Sequence, residues 1–318
     1  MPDKILIRNS PAPFERGCPK DSFREGEATK KRFRKKNLLP YLLVSPYLVF
    51  VIVFVVFPVL FCFFLTFNKW NIIAPMHFIG VSNYSRLFHD RLFWKAILNT
   101  LQFLLLHIPL QLIVSLFLAY LLNQKIKAGS FFRASFFMPV IVSGVVVTIL
   151  WQQLLGFDSG LINRMLVSTG LNKIGWLINP DIAIYSIAVM ATWKNVGLYV
   201  ILFLVGLQTV PTQYYEAARM EGATKWQQFY HITLPMINPT IFMVVILSTI
   251  GGFNLFIEPY IMTGGGPLNS TLSAVLYIYK QAFQYYNMGY SATLGFFYAI
   301  MIMSVVVLQK KFIEKEVD

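Results

Sequence analysis

Long runs without a charged side chain, separated by short polar connections, set the pattern of this chain. No Asp, Glu, Lys or Arg falls within residues 41–68, 97–124, 134–157, 226–257 or 281–309, and 182–208 is interrupted only by Lys194. A helix that crosses a hydrocarbon layer ~30 Å thick needs roughly 20 predominantly apolar residues, and each run is long enough. The pattern predicts an all-α membrane protein with six transmembrane helices, at 42–67, 97–122, 134–156, 182–208, 238–261 and 287–308. They make one membrane domain over 38–312, flanked by polar tails at 1–37 and 313–318. Between the first two spans, Tyr84, Leu87, Phe88, Leu92 and Phe93 recur at helical spacing among charged residues. The stretch 83–95 is therefore expected to lie along the membrane surface.

Composition agrees with that pattern: 56% hydrophobic and 13% charged, with a mean hydropathy of +0.59, is too apolar for an ordinary soluble domain. The net charge of +13 points to nucleic acid only until its distribution is read. Of 27 basic residues, 11 precede residue 41, and Lys30, Lys31, Arg32, Arg34, Lys35 and Lys36 abut the first span. That placement is an orientation signal and an attraction to anionic headgroups rather than a nucleic-acid site. With the amino terminus inside, inner segments hold 19 basic residues and outer segments 7, so both termini are expected in the cytoplasm. The leading tail lacks apolar periodicity and is expected to stay unfolded. It is too long and polar to flank a cleaved signal peptide, and the first span reads as an uncleaved anchor. Cys18 lies in that tail and Cys62 inside the first span, so no disulfide joins them.

The longest inner connection, at 210–235, has its own physics. Pro211 ends the preceding span, Thr212 is placed to cap a new helix, and Glu216, Ala217 and Ala218 follow among good helix formers. Gly222 interrupts that helix. Thr224 with Gln227 three positions on forms a capping-box pattern for a second helix, which Pro235 is expected to end. Helix, elbow and helix present either a docking device, with Glu216 offered to a partner cation and small alanines allowing close approach, or an ordinary amphipathic loop.

The spacing Glu216-Ala217-Ala218, three residues, Gly222, nine residues, Ile232, one residue, Leu234-Pro235 resembles the E-A-A signature of permeases in binding-protein-dependent ATP-binding-cassette importers. The segment from Phe78 to Tyr84, then Phe93-Trp94, Asn99-Thr100, Phe132-Arg133 with Met138-Pro139, and the segment from Thr263 to Thr271 resemble the maltose and glycerol-phosphate branch of that family, in its first-permease form. The resemblance covers about 38–312. It implies a subunit of the bacterial inner membrane that pairs with a second, homologous permease, two ATP-binding subunits and an extracytoplasmic solute-binding protein. It also implies that Glu216, Ala217, Ala218, Gly222, Ile232, Leu234 and Pro235 form coupling helices gripped by the ATPase. No cofactor is implied for this chain, since ATP and Mg would sit on the partner ATPase.

Polar groups inside a membrane are costly unless they face a cavity or a partner, which makes them functional candidates. Lys194 and Asn195 interrupt the fourth span, and Ser248, Gly251, Gly252, Asn254 and Glu258 mark the fifth; Gly251, Asn254 and Glu258 would share one helical face. The resemblance implies sugar contacts near Ser143, Gly144, Lys194, Asn195, Ser248, Gly252 and Leu255. Lys194 either lines the pathway unpaired, which would favour an anionic solute such as a uronic-acid oligosaccharide, or snorkels towards the membrane surface, or pairs with Glu258.

Other chemistry is thinly represented. The glycine-rich stretch 264–271 lacks the Gly-Lys pair of a phosphate-binding loop. His77, His89, His107 and His231 lack metal-ligand spacing, and no nucleophile, base and oxyanion set is recognisable. The expected function is a transport subunit, without enzymatic activity of its own, that moves a sugar or oligosaccharide by alternating access driven by a partner ATPase. The alternative is an ion-driven transporter or channel, for which only Glu258 offers a coupling carboxylate within a span.

Overall fold

A computed structural model describes residues 39–124 and 129–313. The basic cluster before the first span, Cys18 and the last few residues lie outside the described residues. The chain divides after Val51 into two units. Within the first, the described part is helix α1, Leu39–Val51, with Pro46 inside it.

The second unit opens with a π turn, Ile52–Val56, then α2, Phe57–Leu65. Strands β1, Asn68–Lys69, and β2, His77–Phe78, pair antiparallel with Asn68 opposite Phe78. Helix α3, Ser82–His89, stops at Asp90, whose carboxylate accepts from the backbone N–H groups of Leu92 and Phe93 and so caps α4, Arg91–Asn123. The amphipathic pattern of 83–95 is thus two helices: an aspartate that bonds the amides after it ends one and starts the next. At ~1.5 Å per residue α4 is about 50 Å long and outreaches the hydrocarbon layer. Where a single third span at 134–156 is expected, α5, Gly129–Ile141, and α6, Gly144–Leu154, meet at 97°. Pro139 cannot donate a backbone bond and weakens the helix just before the bend.

Helix α7, Leu161–Ser168, leads to α8, Ala183–Gln208, then the short α9, Thr212–Met220, and α10, Lys225–Gln228. A π turn, Phe229–Thr233, and α11, Leu234–Met236, connect to α12, Asn238–Phe253, and α13, Ile257–Met262. After α14, Ala274–Tyr279, and a π turn, Lys280–Gln284, comes α15, Met288–Ile313. Among the described residues, five helical segments are long and apolar enough to cross a membrane, Leu42–Leu65, Arg91–Asn123, Ala183–Gln208, Asn238–Met262 and Met288–Lys311, and the bent α5–α6 pair makes six if it is one span.

Polar side chains share the buried face with apolar ones. On α4 the inward stripe includes Thr100, His107, Gln111 and Ser115, while Leu98, Leu105, Ile113 and Phe117 face outward. Small residues let helices touch: a Cβ on Gly197 of α8 would collide with the Phe136 carbonyl of α5, one on Gly206 with Thr240 of α12, and one on Gly252 of α12 with Leu104 of α4. Helix α8 is the most enclosed of the candidate spans, with 61% of its most apolar window buried.

Candidate functional site

Glu216, Ala217 and Ala218 lie in the second half of α9, with Glu216 and Ala217 exposed. The helix ends in a Schellman arrangement: the Gly222 N–H donates to the Arg219 carbonyl at 3.0 Å and the Ala223 N–H to the Ala218 carbonyl at 2.9 Å. Gly222 takes φ +81°, which an L side chain rarely adopts. Thr224 then caps α10: its hydroxyl accepts from the Gln227 N–H at 3.3 Å, and the Gln227 side chain accepts from the Thr224 N–H at 2.7 Å. The elbow is therefore closed mainly by bonds between near neighbours, with the Tyr215 and Thr233 hydroxyls, 2.9 Å apart, tying α9 to the π turn beyond it.

Two local expectations need correction. Pro211, not Thr212, is the N-cap of α9, and no side chain caps that end. Pro235 does not end the second helix; it sits in the first turn of α11, where a missing N–H is harmless. The preceding π turn, Phe229–Thr233, widens the backbone where a proline ring would crowd an ordinary α turn. Ile232 and Leu234 are half-buried beneath the elbow, while Pro235 is exposed.

Within the membrane domain, Lys194 of α8 donates to Glu258 at 2.6 Å, and both side chains are largely buried. Glu258 lies in the first turn of α13, where a carboxylate is also favoured by the helix dipole. Gly144, at the start of α6, leaves room for the lysine, since a Cβ there would lie 3.4 Å from its Nζ. The structure thus brings Ser143, Gly144, Lys194 and Glu258 to one place, at the bend of α5–α6 and the break of α12–α13. The premise of an unpaired Lys194 is not met, and an anionic solute does not follow from this residue.

The remaining candidates separate. Asn195 turns back on its own helix and donates to the Ala191 carbonyl at 3.0 Å. Ser248 is fully buried, Gly252 is packed against Leu104, and Leu255 is 3% exposed within the core, so these three face protein rather than open space. Gly251, Asn254 and Glu258 do not share a helical face, because α12 stops at Phe253 and α13 begins at Ile257. The break is held by donors from elsewhere: Tyr298 donates to the Phe253 carbonyl at 2.7 Å and Ser273 to the Leu255 carbonyl at 2.6 Å. Asn254 is exposed at the end of α12 and bonds the Ile250 carbonyl.

Sequence reasoning missed Asp90 as a hub. Besides capping α4, it accepts from the hydroxyls of Tyr277 at 2.6 Å and Tyr290 at 2.5 Å, residues 187 and 200 positions away. Gln281 donates to Tyr277, Asn287 to Gln281, and Arg86 lies 3.9 Å over the Tyr290 ring. Burial resists ionisation of Asp90, but the two tyrosines and two amides outweigh it and hold the carboxyl below its ordinary range. Burial first, and then the adjoining Asp90, push the Tyr277 phenol upward. A lone acidic residue between two predicted segments, with helix-capping chemistry, is the signal that points to it. Gln111 was equally silent: its amide is fully buried on α4, with no hydrogen-bond partner among the described residues.

Proteins of similar sequence, and one of the same fold, are known. A Bacillus subtilis protein described as a probable ABC transporter permease, YurN, is 36% identical over 283 residues, 87% of this chain and 97% of its own. The AraP permease of the arabinooligosaccharides transport system in that species is 33% identical, covering 88% and 90%. A chain in the crystal structure of a bacterial ABC transporter that imports the acidic polysaccharide alginate has the same fold, with a TM-score of 0.75 at 23% identity, covering 89% of this chain and 98% of that one. The family described as the binding-protein-dependent transport system inner membrane component matches residues 88–316, and with most of the chain inside that match, this protein belongs to it: it is a multi-pass inner-membrane permease of the ATP-binding-cassette importers.

Proposed function

We propose that this chain is one of two homologous permeases that together pass a sugar or oligosaccharide across the membrane, driven by two ATPase subunits and supplied by an extracytoplasmic solute-binding protein. The observation that carries this reading is the elbow: Glu216 and Ala217 stand exposed, with Ala218 half-buried beside them, on a helix locked to its neighbour by Gly222 and the Thr224–Gln227 box. A rigid, exposed knob suits a separate subunit that has to push on it, because a floppy one would dissipate the displacement. ATP and Mg bind that subunit, and both termini of this chain lie on its side, in the cytoplasm. A relative that serves arabinooligosaccharides supports a carbohydrate cargo.

Closure of the ATPase pair draws the two elbows together and shifts the population from inward-open to outward-open states, with hydrolysis resetting it. Ile232, Leu234 and Pro235 carry that movement into α12. Ser143, Gly144, Asn195 and Asn254 with the Lys194–Glu258 pair border the solute path; the buried Ser248, Gly252 and Leu255 shape it from behind. The test is uptake and ATP hydrolysis by the complex in proteoliposomes, against a panel of neutral and acidic oligosaccharides. Ala217→Trp is expected to abolish uptake while the chain still inserts in the membrane. Undiminished uptake by that variant would remove the elbow from the mechanism.

A further inference from the structure

Two cavities of opposite character adjoin beside the elbow. One, of about 540 Å³, is an apolar groove between the last turns of α4 (Ile113, Leu116, Phe117) and the aromatic face of α10 and the π turn after it (Trp226, Tyr230). The other, of about 330 Å³, is polar and holds Arg219 and Lys225 together with Asn123, Gln124 and Gln228. They share Tyr120, Lys225 and Phe229, and among the described residues no carboxylate lines either. The shared wall is built: the Tyr120 and Phe229 rings meet edge to face at 5.5 Å, and Trp226 lies 5.9 Å from Phe229 and 5.4 Å from Tyr230.

An apolar trough running into a doubly cationic pocket matches one class of ligand, a molecule with an alkyl chain and an anionic head. Its position agrees, since the trough follows the outward face of a spanning helix and the cations begin where that helix ends, at Asn123. Trp226 and Tyr230 at the junction are the amphipathic residues that favour the headgroup level. We infer that this is a binding site for an anionic phospholipid, with the acyl chain along Ile113–Phe117 and the phosphate on Arg219 and Lys225. Because Arg219 and Lys225 belong to the two helices on either side of Gly222, the lipid clips the elbow to α4. The inference requires a membrane-spanning chain and does not depend on the elbow gripping an ATPase.

The full-length chain, purified with the subunits that accompany it, is placed in nanodiscs of phosphatidylcholine or of equal parts phosphatidylcholine and phosphatidylglycerol, and retained lipid is read by native mass spectrometry. The wild type is expected to retain phosphatidylglycerol in preference to phosphatidylcholine. Arg219→Gln with Lys225→Gln should lower that preference on the order of tenfold, whereas Ile113→Trp, which fills the trough, should lower retention of both lipids. Because the wild-type comparison needs no substitution, a misfolded variant leaves the test intact. Equal retention of the two lipids overturns the assignment. So does glycerol phosphate competing as well as the whole lipid, which would mark a free-phosphate site, or a photo-crosslinker at Phe117 capturing a protein subunit instead of lipid.

Discussion

The elbow and the opposite end of the bundle are stabilised by contrasting means. Around Gly222 the bonds that shape the turn join residues at most five apart in sequence, and the one cross-tie, between the Tyr215 and Thr233 hydroxyls, spans 18. At the other end, Asp90 binds Tyr277 and Tyr290, Asn99 donates to the carbonyls of Asn269 and Leu272, and Lys95 donates to the Leu268 carbonyl. These clips span 170 positions or more and tie the start of α4 to the 263–272 loop, α14 and α15. A locally closed element keeps its shape when its surroundings shift, which suits a part that is pushed. Long-range clips hold shape only as long as the helices stay together, which suits a frame.

Breaking a long-range contact is therefore expected to cost the most. Lys194→Met leaves Glu258 largely buried and unpaired, and about 3 kcal/mol of stability is expected to be lost; joint replacement with Glu258→Leu should recover most of it in a thermal melt of the purified protein. Asp90→Ala strands two phenols and uncaps α4, for an expected loss of about 2 kcal/mol. The acid dependence follows from the same carboxylate. Its folded pKa lies below the unfolded value near 3.8, so its stabilisation is complete above that pH and fades as pH falls through the folded pKa. Asp90→Asn should lack that part of the acid loss. If melts of the wild type and the variant converge only at neutral pH, the hub is not ionic.

Smaller effects sharpen the contrast. Gly222→Ala strains a residue at positive φ by about 1 kcal/mol, yet the global melt should hardly move because only the elbow is touched; hydrogen exchange at Ala223 and Gly222 should rise. A global melt lowered as far as by Asp90→Ala would break the distinction between pushed part and frame. Gln111→Leu belongs to neither group. Removing an amide without partners is expected to raise stability by about 1 kcal/mol, and a lower melting point would show that the amide is bonded after all.

The same division explains what could be read from residues alone. Gly222, Thr224 and Gln227 announce themselves because helix caps and elbows depend on neighbours a few positions apart. The apolar runs reveal the spans for a similar reason, and a helix that starts at Arg91 rather than 97 follows from one local cap at Asp90. The pairing of Lys194 with Glu258 is one of the readings the residues leave open, and what decides it, like the meeting of Asn99 with the 263–272 loop, is how helices lie side by side, which no short window encodes. Resemblance marked Asn83, Asn99 and Thr100 as notable without giving a reason. In the structure they are clips: Asn83 donates to the carbonyls of Thr66 and Asn68, and the Thr100 hydroxyl accepts from the Ala274 N–H. The bends at 142–143 and 254–256 escaped a reading by hydropathy, because an apolar run keeps its score whether or not the helix is straight.

The gap between α12 and α13 is furnished from outside, with a phenol from α15 serving the Phe253 carbonyl and the Ser273 hydroxyl serving that of Leu255. A joint whose loose ends are already tied is a corner, not a hinge. Any movement that keeps these two bonds carries α12, α13 and the segments that serve them as one piece.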